Sequence, residues 1–269
     1  MTLFIEMYGW QKLLTPELLV VIAAAGLLYA KAGNIEADGH GRYKTLSLPR
    51  QAACYAGLVC MYFGYGGVLS ALAASSIDYY VLQLVLRYMC MAPLLIVGLP
   101  ERTRAALIAR LPGGRRMASG AGHGVYAAFV FYGLLSLVLA PPVYNALADI
   151  VWLGLIVHAV LLAAALLMWE AALRSYHSAV RGSAHIRFRL LVFGSVLLFP
   201  ICVVMMGSGV GAYQHPQLLA DGLCLPPSAD SYVFAYSVGS TSVFGGLTLM
   251  AGQQLSFAAA IAVAWKSGA

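Results

Sequence analysis

The side chains in this sequence that could hold a metal are six histidines, five cysteines and ten methionines. His40, His177 and His185 fall in polar stretches carrying arginine or lysine, His215 falls in a proline-bearing loop, and His123 stands at the head of an apolar run. His158 alone lies about three turns inside an apolar run. A haem held between helices needs two histidines at matched depth, and His158 has no such partner. Soft sulfur suits Cu(I), and Met89-Cys90-Met91 and Met205-Met206 are the sulfur-rich runs. Successive residues point in different directions on a helix, and Met and Cys are also ordinary apolar fillers, so a run is not a site. By depth, the donors nearest His158 are Met205 and Met206. His158, Met205 and Met206 are therefore the candidate metal set, although His158 reads first as a hydrogen-bonded core residue. The expectation is no bound cofactor, with copper as the alternative.

Cys54, Cys60, Cys90 and Cys202 lie in apolar runs and Cys224 in a loop; no CxxC spacing occurs, and an odd count argues against a disulfide framework. Arg87 is the one cation well inside an apolar run, and Glu170, Gln83, Gln253 and Gln254 share its problem of a polar group at depth. Ionisable groups there are costly and face protein. Interhelical hydrogen bonds are the first reading for each, and contact with a partner subunit is the second, with Arg87, Gln83, Tyr80, Gln253 and Gln254 as the candidates. No Ser/His/Asp set, HExxH, phosphate-binding loop or dinucleotide fingerprint appears, and no strand precedes Gly207-Ser208-Gly209 to make it a nucleophile elbow. The last apolar run has no central lysine for a retinal Schiff base. An enzyme is not expected.

These residues need elements to position them. The chain has 269 residues, 61 % hydrophobic and 10 % charged, with a mean hydropathy of +0.82. A soluble domain is about a quarter charged, so composition excludes a soluble globule and points to a polytopic membrane protein. Seven spans are predicted: Thr15 to Ala30, Arg50 to Ala74, Tyr79 to Leu99, His123 to Ala140, Leu147 to Ser175, Ile186 to Tyr213 and Ser231 to Trp265. Thr15-Pro16-Glu17 has the form of a helix start, with a cap, a proline in the first turn and an acid at the positive end of the dipole. Lys31, Arg42, Lys44 and Arg50 lie between the first two spans, five arginines from Arg102 to Arg116 between the third and fourth, and Arg174, Arg181, Arg187 and Arg189 between the fifth and sixth. The alternate connections contain no Lys or Arg. By the positive-inside rule the N-terminus is outside and the C-terminus cytoplasmic. The net charge of +6 thus reads as topology, with no nucleic-acid partner. The expectation is a single all-α domain over residues 1–269, a seven-helix transmembrane bundle without a cleaved signal peptide.

Several stretches resemble one family. Leu14-Thr15-Pro16-Glu17-Leu18-Leu19 is similar to its opening helix. Tyr80-Val81-Leu82-Gln83-Leu84, then Ala92-Pro93-Leu94-Leu95-Ile96-Val97-Gly98, falls on its H-M-L-Q-H and A-P-P-L-L-V-L-G segments. Pro141-Pro142-Val143-Tyr144-Asn145-Ala146 resembles W-H-L-P-x-L-Y-D-A, Leu155-Ile156-Val157-His158 an E-H segment, and Gly252-Gln253-Gln254-Leu255 a D-Q-Q-L segment. In this order, over about Leu14 to Trp265, they resemble the CtaG-type membrane proteins that assist cytochrome c oxidase assembly. The resemblance implies a bacterial inner-membrane protein, copper delivery, and partners among haem-copper oxidase subunits or a similar complex, with lipids around it. The family's histidine positions are occupied here by Tyr80, Leu84 and Leu139, its aspartate by Gly252, and only His158 remains. Tyrosine is a poor Cu(I) ligand and leucine none. One reading is therefore an accessory or structural subunit of a respiratory or metalloenzyme complex, and the alternative is an assembly factor delivering copper. A transporter is disfavoured by the absence of an inverted repeat.

Overall fold

The computed structural model describes residues 14–33, 35–37, 43–73, 76–111, 114, 123–177, 183–208, 212–213 and 243–267. The described chain is helical apart from a small antiparallel ribbon, β1 (Ile35–Ala37) and β2 (Tyr43–Thr45), which pair in the register Ile35↔Thr45.

α1 (Pro16–Leu28) begins at Pro16 with Glu17 in its first turn, but Thr15 does not cap it. The Thr15 hydroxyl instead accepts from the Gly67 amide at 3.1 Å. Thr15 has the positive φ of a left-handed residue, which turns its side chain away from its own helix. α2 (Leu48–Tyr65) and α3 (Gly67–Ala73) form one apolar span with a break at Gly66. A Cβ at Gly66 would collide with the Thr15 hydroxyl, and Gly67 takes a φ of +68°. Two glycines therefore let α1 close on the break, where L side chains would be strained.

α4 (Ile77–Leu84) continues through a π-helical stretch, Val85–Met91, into α5 (Ala92–Gly98). This rod, Ile77–Gly98, is the centre of the bundle. Its most apolar stretch is 61 % buried, against 39 % for the α2–α3 span and 39 % for the later span Trp152–Leu173. The remaining elements are α6 (Glu101–Arg110), α7 (His123–Leu139), α8 (Pro141–Asp149), α9 (Val151–His177), α10 (Ser183–Gly207) and α11 (Val243–Ser267). α2, α9 and α11 pack around the rod, and α7 packs between α9 and α10. α1 buries no residue and beyond Glu17 is apolar on every face, as suits a helix facing lipid.

Among the described residues three helices are long and apolar enough to cross a membrane, and a fourth if the bent pair α7–α8 is one span. That pair turns by 80° at Pro141, since proline cannot continue the preceding hydrogen-bond ladder. The fifth span begins later than predicted, at Val151, because α8 occupies residues up to Asp149. The sixth ends earlier, at Gly207 instead of Tyr213. Gly207 has no side chain to pack, and the Ser208 hydroxyl turns back to the Val204 carbonyl at 2.6 Å. Residues 214–242, with His215, Cys224 and the start of the seventh predicted span, lie outside the described residues, as do His40, Arg42, Arg115, Arg116 and Arg181.

Candidate functional site

The rod presents Tyr80, Leu84 and Tyr88 at successive four-residue intervals. That spacing keeps side chains on one helix face, and here the two phenols meet the same imidazole. The Tyr80 hydroxyl lies 3.1 Å from Nε2 of His158 and the Tyr88 hydroxyl 3.0 Å from Nδ1. Tyr88 also donates to the His158 carbonyl at 3.4 Å. A phenol has one proton. With it directed at the carbonyl, the Tyr88 oxygen accepts from Nδ1–H, and Nε2 accepts from Tyr80. Both ring nitrogens of His158 are thereby engaged.

The π-helical stretch helps to hold this arrangement. In π register the Tyr88 carbonyl would accept from the residue five positions on, which is Pro93 and has no N–H. The Trp169 indole of α9 supplies the donor at 2.8 Å. Trp169 and Tyr88 are both fully buried, so this bond ties α9 to the rod where water does not compete. Toward the opposite side of Tyr80 the aromatic packing continues: the Tyr80 and Tyr144 rings lie 5.1 Å apart and the Tyr144 and Tyr213 rings 5.3 Å. The bend at Pro141 brings Tyr144 into this line. The Tyr213 hydroxyl donates to the Leu139 carbonyl at 3.0 Å and Asn145 donates to the Ala212 carbonyl at 3.1 Å.

Arg87 lies beside this cluster. Its Nε donates to the Gly64 carbonyl, its terminal nitrogen donates to the Gln83 side-chain oxygen at 3.2 Å, and its guanidinium stands 4.5 Å over the Tyr65 ring. Gly64 is in the last turn of α2, whose carbonyls lack intrahelical donors and attract cations. A Cβ on Gly64 would come within 2.9 Å of the Arg87 side chain, so the approach requires glycine. Gln83 is buried at 3 % exposure, and its amide nitrogen has no hydrogen-bond partner among the described residues. No carboxylate lies within ion-pair distance of Arg87 among them either. Asp78, nine positions earlier on the same rod, accepts from the Gly245 amide of α11 at 2.7 Å.

The other candidates are placed elsewhere. Met205 is fully buried and packs with Asp78 against Gly245, while Met206, more exposed, packs against Gly246. Gln253 is buried beside Tyr132 and Gly194, and Gln254 donates to Ser195 at 3.1 Å. Both therefore join α11 to α10. The site thus unites Tyr80 with His158 and Gln83 with Arg87. It adds Tyr88, Tyr65 and Trp169, which the sequence reading passed over. The four-residue spacing from Tyr80 through Leu84 is the signal that could have found Tyr88.

The side chains hydrogen-bonded to His158 are not a copper donor set. Leu84 and Leu139 are fully buried hydrocarbon in the main core, and a side chain at Gly252 would collide with Val85. Phenols hydrogen-bonded to one imidazole offer Cu(I) neither sulfur nor a second nitrogen. Among the described residues no three His, Cys, Asp or Glu side chains converge. At the cation-rich end of the fifth span, Arg104 of α6 meets Glu170 of α9 at 3.3 Å, both side chains nearly buried.

No curated protein and no solved structure matches this chain. Residues 28–267, nearly the whole length, match the cytochrome c oxidase caa3 assembly factors (Caa3_CtaG), and the chain belongs to that family.

Proposed function

We propose that this chain serves haem-copper oxidase assembly as a non-catalytic, multi-pass protein of the bacterial inner membrane that works by docking on other membrane subunits. Family membership supports the oxidase link. Three or four apolar helices among the described residues support a multi-pass membrane protein, and the alternation of basic and cation-free connections in the sequence supports seven spans with the N-terminus outside. The observation that carries the choice of docking over copper delivery is the state of His158: the one histidine left at the family's positions has Tyr80 on Nε2 and Tyr88 on Nδ1. A metal could reach it only by displacing a phenol. Beside it, the half-buried Arg87 and the buried Gln83 amide form a donor pair suited to an acceptor, a carboxylate or carbonyl, carried by a partner.

The test is Cu(I) titration of the purified protein against a competing chelator, together with identification of its companions on native gels. The expected result is no stoichiometric copper site, and oxidase subunits among the companions. A stoichiometric site that disappears in both His158→Ala and Met205→Leu would establish copper delivery in its place.

A further inference from the structure

The Ile77–Gly98 rod is one of the helices long and apolar enough to cross a membrane, and Arg87 stands ten residues from its first end and eleven from its last. Each distance is about 15 Å of helical rise, which is the middle of a hydrocarbon core about 30 Å thick. The guanidinium is not free to reach an interface, because Nε is held by the Gly64 carbonyl and one terminal nitrogen by Gln83. Lipid phosphates and bulk water are therefore out of its reach.

The described groups around this cation are uncharged. The Gly64 carbonyl, the Gln83 oxygen and the Tyr65 ring contact it directly. Tyr80, Tyr88 and His158 stand close enough to feel its charge, and neither a phenol nor an imidazole is an anion at neutral pH. Among the described residues no carboxylate lies within ion-pair distance. Asp78, the one acid of the rod, is engaged by the Gly245 amide. A guanidinium has five N–H donors. Gly64 and Gln83 take two of them, and the residue is only half-buried, which leaves donors for a group coming from outside the chain.

An acceptor at that depth has to be carried there by a membrane-spanning segment, since a free anion would have to shed its water in hydrocarbon. A spanning helix satisfies its own backbone carbonyls internally, so a side chain is what it can offer. An unpaired guanidinium and an unpaired carboxylate are each costly in the membrane interior, and such groups pair with one another. The two oxygens of a carboxylate also match the fork of a guanidinium. We propose that Arg87 receives the carboxylate of an aspartate or glutamate on a transmembrane helix of the docking partner, near the middle of the bilayer. This rests on the docking role proposed above and names the group that docks. The Gln83 amide nitrogen, buried with no acceptor among the described residues, adds a second donor beside the guanidinium.

The experiment places Arg87→Lys in the full chain in its native membranes and treats them with dicyclohexylcarbodiimide, a reagent that enters hydrocarbon. The reagent activates a carboxylate, the introduced amine attacks the acyl carbon, an amide forms and dicyclohexylurea leaves. The wild-type guanidinium does not react in this way and serves as the control. The expected result is an amide link from position 87 to an aspartate or glutamate inside an apolar segment of an oxidase subunit, read by mass spectrometry of the cross-linked peptides. Arg87→Lys keeps the charge and should keep the oxidase subunits on native gels. Arg87→Gln keeps donors without the charge and should lower those subunits at least about tenfold, while its unfolding midpoint stays near that of wild type. Wild-type levels in Arg87→Gln, equal losses in both variants, a link to a carboxylate of this chain itself, or no link although oxidase subunits co-purify would each overturn the proposal and leave the docking role standing. Wild-type membranes that yield no oxidase subunits would overturn the docking role, and this proposal with it.

Discussion

Arg104 and Arg87 are both drawn toward the apolar interior, but they are balanced differently. Arg104, on the short surface helix α6, reaches Glu170 at 3.3 Å and also lies 3.9 Å from Glu101. Its charge is neutralised within the chain, and the pair clips α6 onto α9. Arg87 is surrounded by a carbonyl, an amide oxygen and an aromatic face. Those groups solvate a cation without cancelling its charge. The first arrangement is complete in itself and belongs to the fold. Among the described residues the second has no carboxylate to balance its charge and stands beside a buried amide nitrogen without a partner.

The comparison can be broken at three points, beginning with the largest expected effect. Arg104→Leu leaves the Glu170 carboxylate buried without its guanidinium and should cost about 3–5 kcal/mol in detergent unfolding. The double variant with Glu170→Leu should recover most of that loss, and a single-variant cost near zero would remove the pair from the fold. Trp169→Phe keeps a ring against Phe257 but strands the Tyr88 carbonyl that Pro93 cannot serve. The expected loss is about 1–3 kcal/mol, the penalty of an unpaired buried acceptor, read from the same unfolding curves. Arg87→Leu strands the Gly64 carbonyl and the Gln83 oxygen but also removes the desolvation cost of the guanidinium, so it should cost about 1–2 kcal/mol. Its effect should appear in assembly, as a large fall in the oxidase subunits that co-purify. A variant that folds and assembles like wild type would leave Arg87 as a packing residue only.

Much of the site was readable as residue types and little of it as contacts. His158 was singled out because it is the one histidine deep in an apolar run, and Arg87 because it is the one cation there. Tyr80 was marked by its place in the family pattern. Tyr88 was not, although it shares a face with Tyr80, because tyrosine is unremarkable in an apolar helix until its hydroxyl finds a partner. The grouping of His158 with Met205 and Met206 rested on depth alone. Depth places residues along the membrane normal but says nothing about which way each helix is rotated, and in the structure Met205 packs toward Gly245 while His158 meets the rod tyrosines. The sixth span was drawn too long for a related reason. Gly209 and Gly211 sustain an apolar pattern, but glycine carries a high helical entropy cost, and the helix stops at Gly207.

The sequence by itself determined the membrane class, the helical architecture and the family, because composition and the order of short motifs are properties of the chain before it folds. It also shows Tyr80, Leu84 and Leu139 at the positions where the resemblance places histidines. Tertiary structure decided what those residues meet. It set the rotation of the rod that aims Tyr80 and Tyr88 at one imidazole, the π-helical stretch whose free carbonyl takes the Trp169 indole, and the close approach of Arg87 to Gly64. Each depends on two helices meeting at a particular angle and register, which is fixed by side-chain packing between segments far apart in sequence and is not encoded in either segment alone.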